Sequence, residues 1–358
     1  TDVTMPAVIK GLGSYLPTLR MTNQDFISHR FYKDIDQPFE DSNEIIIEKF
    51  KEITGIQERR YAQKEQTNSD LGILAAQRAI AGAGIDVESI DYIIFAHNFG
   101  DVRFASNHLD MLPALSSRVK HALGIANPNC VAYDMLFGCP GWIEALIQAN
   151  LFIKAGAATN CLVIGSETLS RVVDPHDRDS MIFADGAGAC ILSAGSDNGE
   201  QGILAHATQT FTKDEAYFLN NGPSLNSKHH IHEKYIKMQG RKIYEFALTK
   251  VPAAMKLALD KSGVAIEDVK KVFIHQANEK MDEAIIDRFY RLYRAERPAH
   301  IMPMNIHLCG NSSVATVPTL LDAVVRGEYP EHELHTGDVI ILASVGAGMN
   351  INAVVYKW

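Results

Sequence analysis

The stretches "GIDVESIDYIIFA" (residues 84–96) and "GVAIEDVKKVFIH" (residues 263–275) share one pattern. Each begins with glycine, continues through an acidic turn and ends in an apolar run of strand length, and each follows a helix-like segment. A second pair, "FADGAGACILSA" (183–194) and "ASVGAGMNINAV" (343–354), shares Gly-Ala-Gly before a β-rich run. Two matches in the same order predict a duplicated α/β unit.

A polar stretch, "AGSDNGEQG" at residues 194–202, separates the two predicted units. Clusters of Gly, Ser, Asn and Asp between periodic segments indicate a connection rather than a helix or strand. We therefore divide the chain into an N-terminal half, residues 1–198, and a C-terminal half, residues 199–358.

Each half contains one strongly apolar helix pattern. These are "PGWIEALIQANLFIKAG" (140–156) and "VATVPTLLDAVVRG" (314–327). In a duplicated unit, the two helices are expected to pack together at the centre. Their N-termini then bring Cys139 and Asn311 towards each other, and the end of the strand "VFIHQAN" supplies His275 nearby.

The composition limits the classes of function. The chain has 358 residues and a formal net charge of −9, and no Lys/Arg run offers a stripe for phosphates, so nucleic-acid binding is not expected. No apolar run reaches the about 18 residues of a membrane-spanning helix, and the first residues lack the pattern of a secretory signal, so we expect no membrane insertion. The cysteines are odd in number and widely spaced, which favours a reducing cytoplasm over a disulfide framework.

Cys139 lies in "FGCPG", directly before one of the apolar helices. Pro140 suits the first helical position, which places Cys139 near the N-cap, where the helix dipole and free amides favour a thiolate. Gly138 permits a close backbone approach. A packed thiol is an equal alternative from this motif alone, because free cysteine is among the most buried residue types.

His275 and Asn311 have plain alternatives of their own. A lone histidine at a strand end is usually a satisfied core residue, and an asparagine in "CGNSS" is typical of a turn. Together with Cys139 they form a set suited to thioester chemistry, because two neutral donors can hold an enolate oxygen. The backbone amides of Cys139 and of Ala347, in "VGAGM", can hold the oxyanion of a tetrahedral intermediate.

The chain resembles the thiolase superfamily, and most closely its β-ketoacyl-acyl-carrier-protein synthase III group. The resemblance covers nearly the full length. The motifs that carry it occur in one order: "VIKGLGSYLP", "ITGIQERRY", "GCPG", "GSETLSRVVDPHDRDSMIFADGAGA", "HQAN", "GNSS" and "VGAGM". It implies a thiolase-like duplicated fold, layered α-β-α-β-α around two buried central helices.

The resemblance implies a Claisen condensation between an acyl thioester and a malonyl- or β-ketoacyl-type thioester. Cys139 would carry the acyl group as a thioester. His275 and Asn311 would support decarboxylation and stabilise the enolate, and the amides of Cys139 and Ala347 would form a second oxyanion hole. The family needs no metal and no redox cofactor.

The same resemblance gives roles to substrate-binding residues and partners. Arg178 matches the position that packs against the adenine of coenzyme A, and Lys280 matches a basic position used against carrier protein or phosphate. The substrates would be thioesters of coenzyme A or of acyl carrier protein. The family is homodimeric, with an apolar loop of one subunit closing the partner's acyl pocket.

Several positions depart from the family pattern. Glu48 and Glu52 fall where Trp and Arg usually grip the nucleotide, and an acid there would repel phosphate. Residues 97–118 form a longer segment than usual, and Pro140 and Trp142 replace the usual Ala and Phe after the cysteine. These changes predict a specialised member of the group. The apolar candidates for the acyl pocket are Phe104, Met111, Met135 and Phe137.

Two other functions remain open from the sequence. One is a non-decarboxylative condensation or an acyl transfer with cyclisation, giving long-chain β-keto, resorcinol-type or quinolone-type products. It needs an extra base, for which Asp101 is a candidate, although an exposed loop acid is the commoner identity of such a residue. The other is a non-catalytic partner subunit.

A histidine-rich stretch, 229–232, is interpreted as a solvated loop rather than a metal site.

Overall fold

The computed structural model describes residues 6–196, 199–229 and 231–358. The strands within these residues are, in chain order, β1 (Ala7–Tyr15), β2 (Leu19–Thr22), β3 (Tyr32–Asp34), β4 (Gln37–Pro38), β5 (Glu58–Tyr61), β6 (Tyr92–Ala96), β7 (Val131–Met135), β8 (Asn160–Thr168), β9 (Asp185–Ala194), β10 (Gly202–Thr210), β11 (Leu219–Gly222), β12 (Tyr235–Met238), β13 (Val269–Ile274), β14 (Val339–Gly346) and β15 (Asn350–Lys357). The α-helices are α1 (Asn43–Thr54), α2 (Asn68–Ala83), α3 (Leu115–Ala122), α4 (Gly141–Lys154), α5 (Gly240–Ser262), α6 (Glu279–Leu292), α7 (Ile306–Cys309) and α8 (Thr316–Val325).

Two larger sheets organise the molecule. The first has the strand order β1-β9-β8-β6-β7, and the second has the order β10-β15-β14-β13. In each, a parallel pair (β6 with β8, β13 with β14) continues into two antiparallel strands. Strand β9 of the first sheet ends at Ala194 and β10 of the second sheet begins at Gly202, and residues 197 and 198 of the predicted connection lie outside the described residues. Strand β7 extends the first sheet at the edge next to β6.

The repeated sequence patterns differ in what they represent. Residues 84–96 and 263–275 both form a short 3-10 turn followed by a parallel strand, β6 and β13. The Gly-Ala-Gly motifs are not equivalent. In the first half the motif lies inside β9, whereas in the second half it forms the end of β14 and the turn before β15.

Helices α4 and α8 form a buried layer between the two sheets. Trp142 and Leu146 of α4 and Leu320 of α8 belong to one core cluster, which also contains side chains from both sheets. Side chains alternate across a strand. In β6, Ile94 therefore faces this central layer, whereas Phe95 packs in the cluster with α2 and α3 on the outer face. Fully burying each large side chain contributes about 1.5–3 kcal/mol.

The outer face of the second sheet is covered by α5 and α6. Ile274 and Ile341 from the sheet pack there with side chains of both helices. The order of layers is therefore α2/α3, first sheet, α4/α8, second sheet, α5/α6, which confirms the predicted α-β-α-β-α arrangement with two buried central helices. No helix among the described residues is long and apolar enough to cross a membrane.

Trp142 fills the central layer rather than a substrate cavity. It is 1% exposed, and its Nε1–H donates to the carbonyl of Val163 at 3.2 Å. A Cβ at Gly165 would meet the Trp142 side chain at 2.9 Å, so the indole lies directly on β8. The Trp142 side chain therefore packs in the core and is not part of the cavity lining, and the prediction of a specialised member stays a prediction.

Candidate active site

One cavity of about 500 Å³ contains the predicted set of reactive groups. Its lining includes Cys139, His275 and Asn311, together with Gly346 and Ala347 of the turn before β15. These residues come from four separate segments, which meet because β7, β13 and β14 end at the same side of the central layer. The structure thus brings together groups that lie in separate segments of the sequence.

Cys139 lies two residues before the first residue of α4, and Pro140 directly precedes that helix. The hydroxyl of Ser313 donates to the Cys139 Sγ at 3.3 Å, and this contact favours the thiolate. Burial has the larger effect and raises the pKa of the Cys139 thiol to about 12. The resting side chain is therefore a thiol, not the thiolate predicted from its place at a helix start, because desolvation exceeds the stabilisation there.

Two glycines hold the backbone amides of Cys139 and Ala347 close together. A Cβ at Gly346 would lie 2.4 Å from the Cys139 nitrogen, and a Cβ at Gly138 would lie 2.6 Å from the Ala347 nitrogen. Gly138 also has a φ of +63°. Both amides lie outside the hydrogen-bonded residues of α4 and β14. Only glycine permits this approach, which brings the backbone of residues 138–139 close to that of residues 346–347.

His275 follows β13 directly and is buried. Its backbone N–H donates to the carbonyl of Ala343 at 2.9 Å, and its Nδ1 lies 2.7 Å from Thr316 Oγ1. Desolvation lowers the pKa of His275 to about 3. The imidazole is therefore neutral at physiological pH, with one protonated nitrogen, so it can act as a neutral hydrogen-bond donor but not as a fixed positive charge.

Asn311 is held by both its backbone and its side chain. Its N–H donates to the Ile182 carbonyl at 2.9 Å, and its carbonyl accepts from the Ala184 N–H at 2.9 Å. The side-chain Oδ1 accepts from the backbone N–H of Ser313 at 2.8 Å. Because Oδ1 is engaged, Nδ2 is the end of the amide left for an oxygen in the cavity.

Three polar residues at this site were missed in the sequence. Asn98 lines the cavity, and its Nδ2 donates to Glu167 Oε1 at 2.8 Å and to Ser313 Oγ at 3.3 Å. Glu167 is fully buried in β8 and has one oxygen without a partner, and desolvation raises its pKa to about 8. Asp179 also lines the cavity, and burial raises its pKa to about 7. Glu167 could have been flagged as an acid within an otherwise uncharged strand.

The predicted substrate-binding residues lie at different places. Arg178 lines the cavity, with its guanidinium over the ring of Phe39 at 5.2 Å. Lys280 is exposed near the start of α6 and is outside the cavity lining. Glu48 and Glu52 are exposed on α1 and also lie outside it. Their predicted repulsion of phosphate stays a prediction, since α1 presents Phe50, Ile53 and Thr54 to the cavity and both acids lie on its exposed surface.

The four acyl-pocket candidates are not part of the cavity lining of the single chain. Phe104 and Met111 are 51% and 42% exposed on the surface, and Met135 packs against the central core. Phe137 precedes the glycine turn and lies outside the lining as well. The four candidates therefore stay predictions, and the apolar lining within one chain comes from other segments, namely Phe50, Phe99, Leu169, Ile182, Phe183, Leu219, Ile236, Met238, Ile243, Met281, Val345 and Met349.

Asp101 is a structural residue. It is 5% exposed, and its carboxylate accepts from the backbone N–H and hydroxyl of Ser69 at 2.7 and 2.6 Å. Arg118 Nη1 also donates to it at 2.7 Å. Both proposed identities, an exposed loop acid and an extra base, are wrong, because these bonds tie the carboxylate to the start of α2 outside the cavity lining.

The remaining sequence features are the histidine-rich stretch and the cysteines. Among the described residues, no group of three or more His, Cys, Asp or Glu side chains is arranged to hold a metal ion. Of the histidine-rich stretch, His230 lies outside the described residues. The five cysteines are unpaired.

Comparisons with known proteins agree with this geometry. Residues 133–211 match the family 3-oxoacyl-[acyl-carrier-protein (ACP)] synthase III, and residues 259–358 match its C-terminal family. The β-ketoacyl-[acyl-carrier-protein] synthase III of Sphingopyxis alaskensis is 31% identical over 99% of this chain and 100% of its own. That of Rhodobacter capsulatus is 32% identical over 99% and 100%. The crystal structure of 3-oxoacyl-[acyl-carrier-protein] synthase III from Aquifex aeolicus has a TM-score of 0.77 at 31% identity, covering 98% of this chain and 100% of the other.

Proposed function

Because the chain belongs to the 3-oxoacyl-[acyl-carrier-protein] synthase III family, and is a condensing acyltransferase that forms carbon–carbon bonds by Claisen condensation, we propose that Cys139 is its nucleophile. One observation carries this proposal. Cys139, His275 and Asn311 line one cavity together with the glycine turn that holds the amides of Cys139 and Ala347. A non-catalytic role is set aside, since the family is enzymatic.

The first half-reaction transfers an acyl group to the enzyme. The Cys139 sulfur attacks the carbonyl of an acyl thioester, and the oxyanion accepts hydrogen bonds from the N–H groups of Cys139 and Ala347. Collapse of this intermediate breaks the substrate's C–S bond. The thiol proton of Cys139 ends on the departing thiol, so the products are acyl-Cys139 and a free thiol.

The second half-reaction begins with a malonyl-type thioester. Loss of CO₂ leaves an electron pair on the α-carbon, delocalised onto the thioester oxygen, and this enolate oxygen accepts from Asn311 Nδ2–H and from the His275 ring. Desolvation keeps His275 neutral, so both groups are neutral donors. The carbanion attacks acyl-Cys139, the C–S bond breaks, and the thiolate takes up one proton. The products are a β-ketoacyl thioester, CO₂ and the free thiol enzyme.

The thioester carriers follow from the family and from the cavity mouth. We propose that acyl groups arrive on coenzyme A or on acyl carrier protein, since the relatives are named for the carrier protein. Arg178 lines the cavity, which supports a contact between this basic residue and the carrier's nucleotide or phosphate. Lys280 is exposed on α6 outside the cavity, which supports a contact with a docked acidic carrier protein.

A homodimer is proposed from the exposed apolar side chains around residues 104–136. Leu112 is 90% exposed and Leu136 is 62% exposed, and Phe104, Leu109 and Met111 lie exposed in the same segment. A second copy of the chain would cover them. Leu112→Asp should shift the mass measured by light scattering from dimer to monomer, and a monomeric wild-type protein would contradict the proposal.

A cytoplasmic location is also proposed, since the cysteines are free.

The nucleophile is tested by intact-protein mass spectrometry after incubation with a series of acyl thioesters on both carriers. The wild-type chain should gain one acyl mass, and Cys139→Ala should gain none. Cys309→Ala is the matched control, because Cys309 is another partly exposed free cysteine, and it should acylate like the wild type. Acylation of Cys139→Ala at an undiminished level would contradict the proposal.

A further inference from the structure

The hydroxyl of Thr316 determines which ring nitrogen of His275 carries the proton, and we propose that it is a positioning group that keeps Nε2–H directed into the cavity. This inference rests on the proposed role of His275 as a donor to the enolate. The contact itself is independent of that role. Thr316 Oγ1 lies 2.7 Å from His275 Nδ1, and both side chains are buried.

A neutral imidazole has one N–H, so its second nitrogen must accept a hydrogen bond or remain without one. Two arrangements satisfy the contact with Thr316. In the first, the Thr316 O–H donates to Nδ1, and the His275 proton is on Nε2. In the second, Nδ1–H donates to Thr316, the hydroxyl proton goes elsewhere, and Nε2 presents a lone pair to the cavity.

The neighbours of Thr316 favour the first arrangement. The alternative acceptor for its hydroxyl is the Ser313 carbonyl, at 3.1 Å. That carbonyl also accepts from the Thr316 backbone N–H, so it keeps one hydrogen bond when the hydroxyl donates to Nδ1 instead. The backbone N–H of Gln276 approaches Oγ1 at 3.4 Å, which supplies a donor to the hydroxyl oxygen and leaves its proton for Nδ1.

The same short segment orients the other donor of the pair. The Ser313 N–H holds Asn311 Oδ1 at 2.8 Å, which leaves Asn311 Nδ2 for the cavity. Ser313 has a φ of +55°, a conformation that non-glycine residues rarely adopt and that the surrounding contacts must maintain. Residues 311–316 thus fix the hydrogen-bonding direction of both side chains that face the enolate.

The tautomer is measured directly by ¹⁵N NMR of the histidine ring nitrogens, with the His275 signals identified by their absence from His275→Gln. The wild-type protein should show Nε2 protonated and Nδ1 unprotonated. In Thr316→Val, which keeps the shape of the side chain and removes the hydroxyl, the protonated fraction at Nδ1 should rise. A wild-type His275 protonated at Nδ1 would overturn the proposal whether or not any variant folds.

Kinetics supply the second measurement. Thr316→Val should lower malonyl-thioester decarboxylation by about 10- to 100-fold, less than the ~10²–10³ lost when a donor itself is removed. Thr316→Ser should restore most of that rate, and acylation of Cys139 should change less than about 3-fold. Thr319→Val is the matched control, because Thr319 is a buried threonine of α8 whose hydroxyl donates to the Ala315 carbonyl at 2.6 Å.

The possible failures are distinguishable. Equal rates for Thr316→Val and wild type, or a Thr316→Ser variant as slow as Thr316→Val, would overturn the positioning role while leaving the proposed function intact. A wild-type protein that acylates Cys139 but does not decarboxylate would instead refute the enolate chemistry. The NMR result for Thr316 would stand in that case.

Discussion

The two halves of the molecule place different kinds of groups before their central helices. In the first half, β7 leads through residues 136–140 directly into α4, and the Cys139 side chain has one described hydrogen-bond partner, Ser313. In the second half, residues 305–315 include the short helix α7 and a 3-10 turn before α8. There Asn311, Ser313 and Thr316 are linked by hydrogen bonds to one another and to His275.

This difference separates a reactive group from orienting groups. A nucleophile needs access and freedom to approach a carbonyl, whereas donors to an enolate must be fixed in advance to stabilise charge without reorganisation. The duplication gives both halves a central helix. The first half uses the space before it for a thiol, and the second uses it for a hydrogen-bonded scaffold. The two half-reactions should therefore be separable by mutation.

The largest expected effects come from variants that remove one half-reaction and leave the other. Cys139→Ala should abolish acylation and condensation, while decarboxylation of a malonyl thioester continues, because the donors of the second half remain. Asn311→Ala and His275→Ala should lower decarboxylation by about 10²–10³-fold and leave acylation within a few-fold of wild type. Separate assays of acyl-enzyme mass and CO₂ release measure the two steps. Equal loss of both steps in all three variants would show that the halves do not act separately.

A smaller effect is expected where the halves touch. Gly346→Ala introduces a Cβ only 2.4 Å from the Cys139 nitrogen, so the turn before β15 must move away from α4. Acylation should fall by roughly 10-fold or more, because one oxyanion donor is displaced. Gly82→Ala in α2 is the control, since the nearest atom to its added Cβ is the Leu12 carbonyl oxygen of β1 at an ordinary 3.5 Å, and its rates should not change. Normal acylation in Gly346→Ala would remove the two amides from the mechanism.

Much of this arrangement could be predicted from the sequence. The repeat at residues 84–96 and 263–275 corresponds to β6 and β13, and the two apolar helix patterns correspond to the buried layer of α4 and α8. Those four elements are enough to bring Cys139, His275 and Asn311 to one side. Sequence periodicity and duplication reflect whole helices and strands, so they predict the positions of the backbone well.

The rest depends on contacts that periodicity does not encode. The φ of +55° at Ser313 and the bond from Thr316 to His275 arise from a turn whose shape is set by tertiary packing. The apolar lining of the cavity depends on the same tertiary packing, because it comes from segments that are distant from Cys139 in sequence. The Gly-Ala-Gly match was misleading, since one copy is in a strand and the other ends in a turn.

The smallest expected effect concerns the buried carboxyl behind the nucleophile. Glu167 in β8 is linked through Asn98 to Ser313, and desolvation raises its pKa from an ordinary 4.5 to about 8. The folded protein therefore binds this proton more tightly than the unfolded chain. As pH rises from about 5 to about 8, the unfolded chain releases the proton first, so the free energy of unfolding falls through this window.

Glu167→Gln removes this titration while keeping an acceptor for Asn98. Relative to wild type, the free energy of unfolding of the variant should rise by about 2 kcal/mol between pH 5 and pH 8. This value is set below the full shift, which is worth about 1.4 kcal/mol per pKa unit. Urea unfolding at both pH values measures it, with Glu52→Gln, an exposed acid of α1, as the control without such a trend. Above pH 8 the ionised Glu167 also opposes ionisation of Cys139, so alkylation of Cys139 by iodoacetamide should be faster in Glu167→Gln. If stability and alkylation show no such pH dependence, Glu167 is already ionised at pH 5. The first half would then contain a fixed negative charge near its neutral thiol, and the contrast with the neutral scaffold of the second half would be sharper still.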